Sequence, residues 1–392
     1  MTLLQQKKYE PLTESSAIAL AVRLRIFPTT SVLTCKEIGD GNLNLVFRVI
    51  DNQTSKSIII KQALPYAKVV GESWPLTLKR ATIEAEALKF FKTLAPDYVP
   101  TVFYSDQEFA ITVMEDLSHL TIARTGLIQG QRYPLLAEHL GEYLANTLFY
   151  TSDFGLDQQK KKELVAKFIN PELCKITEDL VFTDPFFNSP TNEFETELEN
   201  DVKGLWSDQQ LRLQTALLKK SFLTEAEVLL HGDLHTGSVF ASETETKVID
   251  PEFAYFGPAG FDLGQVIANL LFQAIAFEEK RDIILNDIET FWRVFVEHFS
   301  TLWNTQNVEP YSITEGYLSI IIDKYLKDAI GFAGCELIRR TIGLAHVADL
   351  DGIEDLNNRI HAKRSALKIG RHFILSRNDY KSITDLLRNL EF

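Results

Sequence analysis

Two acidic loops, each following a short apolar run, hold the residues best suited to chemistry. The first is His231-Gly232-Asp233-Leu234-His235-Thr236-Gly237-Ser238, which follows Val228-Leu229-Leu230. The second is Asp250-Pro251-Glu252, which follows another strand-like stretch. A carboxylate at Asp233 can accept or orient the proton of an attacking hydroxyl, and one at Asp250 can hold Mg²⁺ on nucleotide phosphates. Phosphoryl transfer asks little more of a protein than positioning and charge neutralisation. An isolated His-x-Asp is ordinarily a surface turn or a satisfied polar pair; the second acidic loop gives the first its chemical meaning. Zinc ligation by His231 and His235 would need a further His or Cys cluster, and none accompanies them.

These loops need elements to carry them. Between residues 34 and 115 the chain reads mostly as strands: 45–50 and 57–63 are apolar and β-branched, with turn-forming Asp51-Asn52-Gln53 between them, and 110–114 is a third run. One helix is expected over 78–94, where Ile83, Ala87, Leu88 and Phe91 share a face. After 117 the pattern turns helical, with candidates at 134–150, 192–220, 260–279, 282–303 and 311–345, the last two open to being broken into shorter helices. Short strands return only near 226–230, 238–241 and 247–250. A strand-rich first lobe, 1–117, followed by a mainly helical second lobe, 118–392, predicts an α+β fold.

Composition narrows the class. The chain has 392 residues, 45% of them hydrophobic, enough for substantial cores. A formal net charge of -14 argues against nucleic-acid binding, which wants a basic face. The 3 cysteines, Cys35, Cys174 and Cys335, are odd in number and scattered, which points to a reducing compartment rather than a disulfide framework. The N-terminal residues lack a secretory apolar core. The greasiest stretch, 266–277, is interrupted by Asn269 and Gln273 and is too short to span a bilayer. The expectation is a soluble cytoplasmic protein with neither a membrane nor a nucleic-acid partner.

Nucleotide-binding features lie upstream. Gly39-Asp40-Gly41-Asn42-Leu43-Asn44 precedes a strand; Gly39 and Gly41 allow close backbone approach to phosphates, and the Asn44 amide can donate a hydrogen bond there. A hairpin turn is the plain alternative. Lys61 stands inside the apolar run Ile58-Ile59-Ile60-Lys61-Gln62-Ala63, where a lysine snorkels or has a partner.

The first acidic loop resembles the kinase catalytic loop H-R-D-L-x-x-x-N with its downstream D-F-G. Gly232 replaces the Arg, as in small-molecule kinases of the aminoglycoside phosphotransferase type. Ser238 stands in place of the metal-binding Asn, and Asp250-Pro251-Glu252 replaces Asp-Phe-Gly, so Glu252 is inferred to supply the ligand that Ser238 does not. In that frame Lys61 binds ATP phosphates and pairs with Glu84 or Glu86, with Glu84 preferred for its spacing to Leu88. Glu115, Asp116 and Leu117 resemble the hinge whose backbone holds adenine.

Taken with Val70-Gly71-Glu72-Ser73-Trp74-Pro75 and Gly334-Cys335-Glu336-Leu337-Ile338-Arg339-Arg340-Thr341-Ile342-Gly343, these motifs resemble the methylthioribose kinase family. The resemblance implies a protein-kinase-like two-lobe fold, a homodimer, and ATP-dependent phosphorylation of the anomeric hydroxyl of 5-methylthioribose in methionine salvage. It implies Asp233 at the sugar hydroxyl, Mg²⁺ on Asp250 and Glu252, and Arg339 and Arg340 near the substrate and the transferring phosphate. Adjacent helical residues point about 100° apart, so one arginine can reach the site without the other; Arg340 is the favoured contact. His346, Asp349 and Asp351 read as helix-end polar residues. The alternatives are another acceptor (an aminoglycoside, choline or homoserine) or a nucleotide-binding pseudokinase scaffold, for which Ser238 speaks.

Overall fold

The computed structural model describes residues 9–38, 44–67 and 71–392. The chain divides into two compact units, Met1–His119 and Leu120–Phe392.

In the first unit, apolar β-branched runs build a five-stranded antiparallel sheet, in the order Leu33–Glu37, Asn44–Asp51, Ser57–Ala63, Ile111–Glu115, Val102–Asp106. Ser57–Ala63 is the central strand, and side chains alternate faces along it. Ile58 and Ile60 enter a cluster with Phe47, Val49, Val113 and Leu20 of the helix Glu14–Arg23. That helix was not anticipated, although Thr13 and Ser16 form a reciprocal cap at its start. Lys61 alternates onto the other face of the strand, and the helix Lys79–Leu94 also contacts this strand. That helix buries Arg80, Ile83, Glu84, Ala87, Leu88 and Phe91 along one stripe.

The second unit is mainly helical. Its centre is the helix Gly260–Ala276, whose residues are buried almost all round. The helices Tyr317–Ile342, Arg281–Gln306 and Leu356–Ser376 pack against it, and Leu136–Thr151 packs on Arg281–Gln306. Two small sheets carry the loops of interest: Val239–Ala241 pairs with Thr246–Val248 and with Thr121–Ile122, and Val228–Leu229 pairs with Phe256–Gly257.

Differences from expectation have local causes. The 192–220 helix breaks at Asp208, whose carboxylate accepts from Gln210 N and Leu211 N and so caps a new helix, Gln209–Thr224. The 311–345 helix starts only after Gly316 and ends at Ile342. Among the described residues, no helix is long and apolar enough to cross a membrane.

Candidate active site

The first acidic loop, His231 to Ser238, is held by one helix. Asp262, in the first turn of Gly260–Ala276, accepts from His231 N at 2.6 Å and Gly232 N at 3.0 Å. One turn on, Gln265 Oε1 accepts from Leu234 N at 2.7 Å. Gly232 has φ +84°, and a β-carbon there would lie 2.3 Å from Phe253 O, so only glycine fits between the two acidic loops.

The loops are also tied to each other. The His231 ring nitrogen Nε2 lies 2.7 Å from Ile249 O, and Ile249 N donates to Ser238 O at 3.0 Å. Asp233 N donates to His231 Nδ1, so the proton of a neutral His231 sits on Nε2. His231 is buried, and desolvation keeps its pKa below the ordinary imidazole value. With both ring nitrogens engaged by backbone, it acts as a structural strut between the two loops. Asp250 follows in the left-handed region at φ 64° and leads into the short turn Pro251–Phe253. Glu252 is buried there, with its carbonyl accepting from Asn170 Nδ2 at 2.9 Å.

Ser238 resolves its own anomaly. Its hydroxyl accepts from His235 N at 3.0 Å and lies 2.9 Å from His235 O and 3.2 Å from Asp233 O. The side chain closes the first acidic loop on itself. Among the described residues no three His, Cys, Asp or Glu side chains are grouped to hold a metal. Asp250 and Glu252 put two carboxylates on one short turn, the donor type that Mg²⁺ takes one or two at a time while water and phosphate fill its other positions.

Asp233 sits in a cationic cradle. Arg339 Nη2 and Arg340 Nη2 reach its Oδ1 at 3.4 and 3.3 Å, and His235 Nε2 faces its Oδ2 at 3.4 Å. Gly237 N donates to His235 Nδ1, so the proton of a neutral His235 is on Nε2 and points at the carboxylate. Burial by itself would raise the Asp233 pKa, but His235, Arg340 and Arg339 outweigh it and hold the carboxyl well below the ordinary carboxylate range. About 29% of this side chain remains exposed, so an incoming group can reach it. Both arginines contact Asp233, where one was favoured. The reason is Glu336, one turn earlier on the same helix: it accepts from Arg339 Nε at 2.5 Å and Arg340 Nε at 2.9 Å and turns both forks the same way.

Sequence reading missed His235 as a partner of Asp233, and it missed Glu336, Arg124 and the polar stripe of the central helix. Asp262, Gln265, Asn269 and Gln273 follow one another at intervals of three or four residues on an otherwise apolar helix, a spacing that puts them on one face. Asn269 accepts from Arg124 Nη2 at 2.7 Å, and Gln273 donates to Asp349 Oδ1 at 2.5 Å. Asp349 is thus a buried partner, ion-paired with Arg124 at 3.2 Å, rather than an ordinary helix-end group.

In the first unit, Lys61 Nζ meets Glu84 Oε1 at 2.7 Å inside the protein, while Glu86 faces Lys89 near the surface. Asn44 has a partner that its sequence position does not announce: its side-chain oxygen accepts from Arg80 Nη1 at 2.6 Å. Arg80 is fully buried and also donates to Leu64 O; its place on the stripe of Ile83, Ala87 and Leu88 was the available signal. Gly39 and Gly41 lie outside the described residues. At the end of the sheet, Asp116 accepts from Arg48 at 2.6 Å and from Ser118 N at 2.9 Å, and Glu115 accepts from Thr101 N at 2.9 Å. Leu117 is buried beside them. These bonds use the acidic side chains and fix the backbone of 115–117.

The model of the phosphotransferase enzyme family matches residues 34–286. A methylthioribose kinase of Geobacillus sp. (strain WCH70) is 63% identical over 379 residues, covering 96% of this chain and 95% of that one. Those of Geobacillus thermodenitrificans (strain NG80-2) and Bacillus pumilus (strain SAFR-032) are 61% and 54% identical, covering 99% and 97% of this chain and 98% and 96% of theirs.

Proposed function

The chain belongs to the phosphotransferase enzyme family and, within it, to the methylthioribose kinases, and we propose that Asp233 directs its transfer of the γ-phosphoryl group of ATP to the anomeric hydroxyl of 5-methylthioribose. The product is 5-methylthioribose 1-phosphate. The observation that carries the role of Asp233 is its half-open carboxylate among Arg339, Arg340 and His235.

Each group has a part in this reading. Asp233 stays ionised and receives the hydroxyl proton as the new P–O bond forms. Arg339 and Arg340 stand where charge develops on the transferring phosphoryl oxygens. Lys61, held by Glu84, takes nucleotide phosphate, the backbone of Glu115, Asp116 and Leu117 takes adenine, and Gly39, Gly41 and Asn44 belong to the phosphate loop. Asp250 and Glu252, with Pro251 fixing the turn between them, would hold Mg²⁺. When bound, the ion neutralises charge on the β- and γ-phosphates. On this reading residues 1–117 form the nucleotide lobe and 118–392 the catalytic and substrate lobe. The family resemblance further supports a cytoplasmic homodimer that serves methionine salvage.

A substrate panel with Mg-ATP tests the acceptor. ADP should form with methylthioribose and not with choline, homoserine or an aminoglycoside. ADP formation with one of those alone would overturn the assignment. ATP binding without turnover of any acceptor would favour the scaffold, though Ser238, its main support, is used in closing the loop. For the metal, Glu252→Gln should raise the Mg²⁺ concentration needed for half-maximal activity several-fold, on the order of one lost charge-assisted contact. An unchanged Mg²⁺ titration would return Glu252 to a structural role.

A further inference from the structure

Arg124 is the cation near Asp233 that the chemistry above does not use. It lies in the short helix Ala123–Ile128, directly after the strand Thr121–Ile122 that pairs with Phe240–Ala241. Its stem is held on three sides. Nε lies 3.2 Å from Thr236 Oγ1 and 3.2 Å from Asp349 Oδ2, and Nη2 donates to Asn269 Oδ1 at 2.7 Å. Asn269 is itself anchored by donating to Gln265 O, and Asp349 by Gln273. A planar guanidinium fixed at two nitrogens has its third set by geometry.

That third nitrogen, Nη1, leans over Gly237. A β-carbon at Gly237 would fall 3.1 Å from Arg124 Nη1 and 2.9 Å from His235 Cε1. The absence of a side chain there leaves Arg124, His235 and Asp233 as one contiguous row. Arg124 also lies within electrostatic reach of Asp233, Glu336 and Arg340.

We propose that Arg124 is an acceptor-binding residue whose Nη1 donates to a secondary hydroxyl of the sugar that presents its anomeric hydroxyl to Asp233. The inference rests on the kinase reading above. A neutral polyol suits Arg124 better than phosphate does, because the Asp349 carboxylate already compensates its charge. Arg339 and Arg340, by contrast, share Glu336 and Asp233 and are turned toward the reacting oxygen. A fixed guanidinium is also a good discriminator, because a substrate lacking the matching hydroxyl leaves its donor unpaired.

Steady-state kinetics of Arg124→Gln and Arg124→Lys decide the matter, with 5-methylthioribose and its 2-deoxy and 3-deoxy analogues as acceptors. Arg124→Gln should raise the KM for methylthioribose about 10-fold or more, the size of a lost charge-assisted hydrogen bond. The KM for ATP should stay within about 2-fold, since uniform acceptor binding is what is lost. The preference for methylthioribose over one deoxy analogue should shrink in the variant, which a purely structural brace would not cause. Arg124→Lys should recover part of the affinity, and it carries the same test if the glutamine variant does not fold. A fall in kcat with unchanged acceptor KM and unchanged discrimination against both analogues would overturn the proposal. If the wild-type enzyme does not phosphorylate methylthioribose, the kinase reading itself fails, which is a separable result.

Discussion

Asp233→Asn is expected to lower kcat by about 10²–10⁴-fold, the usual contribution of a positioned proton acceptor, while ATP affinity stays close to that of the wild type. The substitution keeps the shape but not the hydrogen bonding. Asp233 accepts from the two arginines on one oxygen and faces the His235 Nε2 proton with the other. An asparagine can present its oxygen to only one side, and its amide then points donors at the other. The carboxylate is held well below its ordinary pKa, chiefly by His235 and the arginines against the opposing effect of burial. Such a weak base does not deprotonate a sugar hydroxyl in the ground state. In the proposed mechanism it orients the hydroxyl and accepts the proton late, as a loose phosphoryl-transfer transition state allows. An acid limb in the pH profile between about pH 5 and 7 would therefore belong to another group, because Asp233 is ionised throughout that range. Single-turnover rates and an ATP titration of the variant check the pair of expectations. A variant with near-normal turnover would remove Asp233 from the chemistry.

The chemistry of this chain is written locally and its support is written at a distance. Lys61 could be singled out because a lone cation in Ile58-Ile59-Ile60-Lys61 demands a partner, and Glu84 lies on the apolar stripe of the next helix. The two acidic loops were legible because each follows a strand, and the ladder between Val239 and Val248 then places them side by side. Strand and helix identities followed from periodicity, which is why Ser57–Ala63 is found where the β-branched run lies. The helix break at Asp208 was readable in principle, since an aspartate before Gln209 is a capping residue.

The supporting residues were hidden for a different reason. Arg124 and Asp349 are 225 positions apart by number, and nothing in either neighbourhood announces the other. In sequence Asn269 and Gln273 read only as interruptions of an apolar stretch too short to span a membrane; their use emerges once Asp262 and Gln265 are seen on the same face. Asn44 illustrates the converse. Its amide suits a phosphate, and its oxygen is taken by a buried Arg80, a pairing that no spacing rule foresees. Buried polar groups must be paired, so they carry information about contacts that is recovered only when both partners are in place.

Glu336→Gln should then be the most damaging substitution that leaves the reacting atoms untouched. Glu336 has about 1% of its side chain exposed and binds the Nε groups of Arg339 and Arg340, which are themselves about 8% exposed. Removing one partner of a buried ion cluster costs about 3–5 kcal/mol, because the remaining charges stay buried without compensation. For a unit of this size that is a fall in Tm on the order of 10 °C. The pH dependence has a definite sign. Burial would raise the Glu336 pKa, but the two arginines hold it below the ordinary glutamate value. Its stabilisation is therefore fully present above that value and is lost as pH falls through the lower, folded-state value. Thermal melts should show the full gap between wild type and variant at pH 7, narrowing as pH drops below about 4. Activity should fall as well, by about 100-fold, since forks released from Glu336 no longer aim both Nη2 groups at Asp233 and sub-ångström aim is what positioning supplies. A variant that melts with the wild type at pH 7 would show the arginines to be held by something else. One that melts early yet retains full kcat would show that the orientation of the arginines, though built into the fold, does not limit the chemistry.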